Sequence, residues 1–182
     1  FDLSGIMISA HGCAFALTHG NGELLHPILD YEQEIPDEIA AVIDPMQPDF
    51  SETYTPHLPL GFSIARHIYW LEVQEPEAFA RTENILCYPQ FWIWRLSGKP
   101  FAEYSYLGAH SQLWAPLKRD FSTLVDRLGC REKFPVIVPA GEIVGDARIT
   151  LADGREVKLA VHNGVHDSNA ALAYYRMTGL SG

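Results

Sequence analysis

Residues 146–172, DARITLADGREVKLAVHNGVHDSNAAL, restrict the fold more than any other part of the chain. Two runs of alternating polar and apolar residues meet at an Ala-Asp-Gly turn, the pattern of a two-stranded hairpin over 146–164. The second run leaves through a glycine turn. An alanine-rich helix then starts near Asp167 or Ser168 and is closed by Gly179. A strand that passes through a tight turn into a helix sets polar side chains at a sheet edge, where ligands commonly bind. Three roles are open to Asp167. It can cap the helix, share a metal ion with His162 and His166, or accept a proton from a substrate hydroxyl. The spacing of His162 and His166 suits a metal only on a helix, and Gly164 lies between them. A carboxylate is stabilised at the positive end of a helix, which favours a base there.

The remaining pattern is that of an α/β chain with a mixed sheet. Residues 5–9 and 13–19 read as strands, GNG at 20–22 as a turn and 23–31 as a returning extended stretch, so an antiparallel meander is expected at this end. A short helix is expected over 35–44, and a proline-rich loop over 45–60. Further helices are expected over 61–76, 76–83 and 118–129, with Gly129 as the stop of the last. Residues 85–98 are dense in aromatics and end at Gly98, a helix stop. Tyr88, Phe91, Trp92, Trp94 and Trp70 are expected in the core. Residues 134–145 are extended, punctuated by proline and glycine.

Composition narrows the classes of partner. Of 182 residues, 47% are hydrophobic and 20% charged, enough to bury a core, and the formal net charge is −10. An acidic chain without a Lys/Arg cluster argues against nucleic acid and anionic membrane as main partners. No apolar run approaches the ~20 residues of a membrane span. Cys13, Cys87 and Cys130 are odd in number and widely spaced, so they read as buried thiols of a reducing cytoplasm. No P-loop, GxGxxG or GxSxG is present. His11 sits in a loop between a strand end and Gly12. AEYSYLGAHSQLW (102–114) carries the hydrogen-bonding groups that suit a polyhydroxylated ligand.

In order, five segments resemble the FGGY family of carbohydrate kinases. IMISAHGCAFALTHGNGELLHPILDY resembles the family's strand, sugar-contact turn, strand and hairpin. IYWLEVQEPEAF resembles its L-x-W-L…P-E helix, and WRLSGKPFAEYS its R-L-T-G…T-D-Y-S. PAGEIVG resembles x-x-G-x-x-G, and VHNGVHDSNAAL resembles V-x-x-G-x-x-D-x-x-A-A. Tyr31 and HGCAF lean toward the rhamnulokinase-like branch. The resemblance covers nearly the whole chain and implies a ribonuclease H-like, actin-like lobe. Residues 1–182 would then be most of the N-terminal sugar-binding lobe. The start of that lobe, with its D-x-G-T/S hairpin, and the whole C-terminal lobe would lie outside the sequence.

The resemblance also implies roles. Asp167 falls on the catalytic base, which takes the proton of the sugar hydroxyl that attacks the γ-phosphate of ATP. Tyr31 falls on the aromatic flanking the substrate, His11 on a polar sugar contact, and Tyr104 on a tyrosine that touches substrate in some members. Gln33 falls where sugar-specific branches often carry aspartate, and Glu34 where a basic residue is common, so the sugar's identity stays open. ATP and Mg2+ are implied for the parent protein, a sugar or polyol is the implied partner, and a homodimer remains open. The isolated 182 residues are expected to be inactive, since the nucleotide site lies elsewhere. The competing readings are a non-catalytic carbohydrate-binding domain and a metal-dependent hydrolase built on His162, His166 and Asp167.

Overall fold

The computed structural model describes residues 3–59 and 61–179, so part of each chain end and one position of the 45–60 loop lie outside the described residues. In chain order the strands are β1 (Gly5–Ile6), β2 (Ser9–Ala10), β3 (Phe15–Thr18), β4 (Asn84–Cys87), β5 (Trp114–Ala115), β6 (Asp120–Phe121), β7 (Ile143–Thr150), β8 (Glu156–His162) and β9 (Val165–His166). The helices are α1 (Asp37–Ile43), α2 (Phe50–Thr53), α3 (Ile64–Gln74), α4 (Pro76–Arg81), α5 (Tyr88–Ser97), α6 (Tyr104–Leu107), α7 (Thr123–Arg127) and α8 (Asp167–Met177).

The hairpin forms as its alternation requires. β7 and β8 pair antiparallel from Thr150↔Glu156 to Ile143↔His162, with one register shift between Ile143 and Gly145. Gly154 closes the turn at φ 83°, where a side chain would be strained. β1 adds in parallel to the other edge of β8, giving a mixed sheet of order β1-β8-β7. Beyond the glycine turn, β9 pairs in parallel with β2. The apolar run at 5–9 is thus split in two, each half following one stage of the hairpin's exit.

The antiparallel meander expected at the start does not form. β3 takes its partner from far along the chain, pairing antiparallel with β4. The stretch at 23–31 returns only one bridge, Thr18↔Leu24, and Pro27 offers no N–H to extend it. β3 and β4 are buried on both faces, which explains their unbroken apolar sequence. Phe15, Leu17, Ile85 and Cys87 face the large core with Ile64 and Ile68 of α3, while Ala16 and Leu86 meet Phe91 and Trp94 of α5. From its other side α5 sends Ile93 against Val144, Ala147 and Val161 of the mixed sheet. The aromatic segment therefore begins as a strand, not a helix. Trp92 is exposed and Tyr88 and Trp70 are half-buried, against the expectation that all pack in the core. The last central helix starts later than expected, at Thr123. Its cap is Ser122, whose side chain accepts from Leu124 N–H, and residues 120–121 pair with β5 instead.

All three cysteines are free and buried. Among the described residues, no helix is long and apolar enough to cross a membrane.

Candidate active site

Two buried side chains build the turn that the hairpin leaves by. Asn163, fully buried, donates to Val138 O at 2.6 Å and Ala102 O at 3.2 Å, and accepts from Gly164 N–H at 3.1 Å and Gln90 Nε2 at 3.3 Å. A Cβ on Gly164 would lie 2.7 Å from Pro89 Cβ and 2.8 Å from Ile8 O, so the turn passes between α5 and the first strands only as glycine. This fixes β9, whose last residue is His166 at the start of α8.

His166 is 4% exposed, and its Nε2 is shut off from solvent with no hydrogen-bond partner. A Cβ on Gly12 would overlap that nitrogen, so glycine at 12 lets the turn close over the imidazole. Burial lowers the pKa of His166, outweighing Asp167, and His110 and His11 lower it further. The ring is neutral, so its 3.1 Å approach to Asp167 Oδ1 is not an ion pair. Nδ1 and Oδ1 instead converge on one donor, Ser168 N–H, at 3.1 and 2.6 Å. The cap of α8 is therefore His166, not Asp167 or Ser168, and Asp167, the first residue of the helix, adds a second acceptor to the same N–H. Its carboxylate is half-exposed, and its second oxygen, Oδ2, has no hydrogen bond among the described residues.

The opposite wall is the turn at 11–14. The fully buried Tyr106 hydroxyl lies 2.8 Å from His11 O and 2.9 Å from Ala14 O, and accepts from Ala14 N–H at 3.3 Å. Burial pushes its pKa far up, so it stays a donor. Cys13 adopts φ 62° and donates its thiol to Phe62 O at 3.5 Å. Burial pushes that thiol up to about 11. His11 Nδ1 lies 2.9 Å from Gly12 O, an acceptor, so Nδ1 carries the ring proton. The His11 ring stands between Tyr88 at 5.1 Å and Tyr31 at 5.5 Å, and Tyr31 continues to Phe62 at 5.3 Å, a row of four rings.

A cavity of about 480 Å³ lies against this row, lined by His11, Tyr31, Phe62, His110 and His166 among others. A second, of about 340 Å³, shares His11 and Tyr31 and adds Asp30 and Tyr88. Their size suits a small molecule. Of the residues singled out in sequence, His11 and Tyr31 line the main cavity, and Asp167 follows His166, which also lines it. Tyr104 and Gln33 are placed elsewhere. Tyr104 stacks on Trp114 in a separate cavity of about 680 Å³ with Arg119 and Ile137. The Gln33 side chain is exposed and donates to Glu34 O. His162 is turned to Gly141 O and packs on Gly5, away from His166 on Gly12. Phe62 was missed in the sequence; His166 reads there as a metal ligand and not as a wall of the cavity, and His110 and the supporting Tyr106 only as part of the polar segment 102–114. Only the histidine before Asp167 left a local signal, as part of HDS.

The order of strands and helices is shared with known proteins. Residues 2–173 match the model of the FGGY family of carbohydrate kinases, N-terminal domain. A carbohydrate kinase from Novosphingobium aromaticivorans superposes with a TM-score of 0.86 at 37% identity, over 93% of this chain and 36% of that one. A xylulose kinase from Rhodospirillum rubrum superposes with a TM-score of 0.77 at 17% identity, over 94% and 37%. L-fuculokinase of Escherichia coli (strain K12) is 27% identical over 178 residues, 93% of this chain and 37% of that protein. The fold is thus the actin-like ATPase fold of sugar kinases. The chain belongs to the FGGY family of carbohydrate kinases and spans a little over a third of the length of these relatives.

The family implies ATP and Mg2+. Among the described residues, no lysine or arginine lines the cavity beside His11 and Tyr31. Among the described residues no group of three or more His, Cys, Asp and Glu side chains is placed to hold a metal ion. The described residues that line this cavity do not make up a site for a nucleotide with its magnesium.

Proposed function

We propose that this chain is the sugar-binding lobe of an ATP-dependent carbohydrate kinase and that Asp167 is its base. The carrying observation is the placement of Asp167 on α8, directly after the buried His166 that lines the cavity. Ser168 N–H holds Oδ1 at 2.6 Å and fixes the carboxylate, leaving Oδ2 to receive the proton of a substrate hydroxyl. Tyr31 and Phe62 offer ring faces to the carbon side of the sugar, and His11 and His110 offer hydrogen-bonding groups. Phosphoryl transfer asks mainly for this positioning on the acceptor side. The phosphate donor and its metal would be held by residues outside this chain. The sugar or polyol is the partner, and the three buried thiols fit work in the cytoplasm.

The test is a phosphorylation screen of the full-length protein carrying this chain, against ketoses, aldoses and polyols. Asp167→Asn should lower kcat by about 10²–10⁴-fold with the fold intact. A near-normal rate removes the base assignment. The isolated 182 residues should turn over no ATP in the presence of sugar. If the full-length protein binds sugar but phosphorylates none, the second reading, a non-catalytic carbohydrate-binding domain using the same cavity, takes its place.

A further inference from the structure

The cavity of about 680 Å³ beside Tyr104 shares no lining residue with the two beside His11 and Tyr31. It lies between the start of α6, the turn that joins β5 to β6, and the extended segment before β7. Tyr104 stacks on Trp114, with ring centroids 6.1 Å apart and planes at 27°. Phe121 meets Trp114 edge to face at 6.1 Å and fixes the lower ring. Trp114 is 9% exposed and Tyr104 42%, so Tyr104 is the ring left open to a ligand. Pro116, Ile137 and Pro139 add apolar walls. Among the described residues, Arg119 is the charged side chain of this lining. Its neighbours in the chain are committed elsewhere, Lys118 to Glu52 at 3.1 Å and Asp120 to Arg131 at 2.9 Å. Arg119 is exposed and has no hydrogen bond or ion pair among the described residues.

We infer that this cavity binds a second ligand, a planar aromatic ring that carries a carboxylate or a phosphate. The ring extends on Tyr104 the stack that Trp114 begins, and buries apolar surface against the prolines and Ile137. The anion meets the Arg119 guanidinium, whose fork matches either acid. The cavity also borders the junction that seats α8. Tyr104 opens α6, and the carbonyl of the next residue, Ser105, accepts from Asn169 of α8 at 3.3 Å. Ile137 and Pro139 flank Val138, whose carbonyl takes the Asn163 amide at 2.6 Å. A ligand held against these segments bears on the first turn of α8, so its occupancy alters sugar turnover. This coupling, unlike the binding, rests on the reading of Asp167 as the base.

The experiment is calorimetric titration of the full-length protein. Indole-3-acetate and AMP carry ring and anion, tryptophol and adenosine the ring alone, acetate and inorganic phosphate the anion alone. At least one ring-bearing anion should bind on the order of 5–10-fold more tightly than its neutral counterpart and than the free anion. Arg119→Gln, a change at an exposed position, should erase that advantage. Tyr104→Ala should weaken the anion and its neutral counterpart alike, by several-fold. Preference for indole-3-acetate makes the ligand an aromatic acid and preference for AMP a nucleotide, and either supports the site. No binding, equal affinity for charged and neutral probes, or affinity that Arg119→Gln leaves unchanged overturns it, the last placing the probe at another site. Saturation with the tighter probe should shift kcat for sugar several-fold. An unmoved kcat overturns the coupling to α8 and leaves the site. If the full-length protein phosphorylates no sugar, the kinase reading falls, and the binding titrations still decide the cavity.

Discussion

Gly61 has no room for a side chain. A Cβ there would overlap the His67 ring and lie 2.7 Å from Tyr31 O. His67 is fully buried, and the residues on either side of this contact, Tyr31 and Phe62, face the main cavity. Gly61→Ala should therefore cost about 1–3 kcal/mol by overpacking. It should also raise KM for sugar by displacing the ring row. Thermal melting with steady-state kinetics checks both, and an unshifted melting temperature would show that His67 can move aside freely. Close approaches of this kind leave no mark in sequence, because glycine at 61 and histidine at 67 read as parts of one helix over 61–76, which in the structure starts only at Ile64. The same holds for Tyr106, which supports the turn at 11–14 from another segment. That His11 and Tyr31 come to one cavity and Asp167 to a helix start follows the order of the short motifs that carry them. Tyr104 and Gln33 were placed by motif as well, yet Tyr104, at the start of α6, stacks on Trp114, and Gln33 is turned to solvent.

Periodicity decided which elements could be read from sequence. β7 and β8 have one solvated face, so they alternate, and the hairpin was evident with its turn. β3 and β4 are buried on both faces and carry no alternation, so their pairing across more than sixty residues was invisible. β1, β2 and β9 are two residues long and owe their existence to the geometry of the hairpin exit. Asn163 holds that exit together, and its role is testable. Asn163→Ala removes donors to Val138 O and Ala102 O, both parts of the junction, and should cost about 3 kcal/mol. Asn163→Asp should be worse, since a carboxylate facing two carbonyl oxygens has nothing to donate. Chemical denaturation gives the order. If aspartate proves milder than alanine, the side-chain amide is not donating as the geometry has it. α8, which carries Asp167 at its first turn, has no buried residue and exposes Leu172, Tyr174, Tyr175 and Met177. Its anchoring to the rest of the lobe therefore depends on this junction and on Asn169, whose Nδ2 donates to Ser105 O at 3.3 Å.

Across the whole molecule, the buried imidazoles set how stability depends on pH. Burial lowers the pKa of His67 to about 4, outweighing a backbone contact from Gln33 and the Asp30 carboxylate, both of which raise it. In the unfolded chain the same ring titrates near 6.5. As pH falls from 6.5 toward 4, the unfolded state takes up a proton that the folded state refuses, so stability is lost across that window and is fully present above it. His166, lowered by burial as well, acts in the same direction. The carboxylates that hydrogen bonds hold low, Asp49, Asp120, Asp126 and Asp153, contribute above their unfolded values and lose that contribution only at more acidic pH. Glu72, which burial raises, works against the histidines, because its folded form gains stability as it protonates. A comparison between variants removes that offset. Between pH 7 and 4.5 the His67 contribution amounts to roughly 2.5 kcal/mol. For a chain of this size that is a fall in Tm of about 5–10 °C. His67→Gln, which cannot titrate, should start less stable at pH 7 and show a shallower decline by that amount. Parallel slopes for the two proteins between pH 7 and 4.5 would mean that the ring beneath Gly61 is protonated in the folded state, and that the wall carrying Tyr31 and Phe62 accommodates its charge.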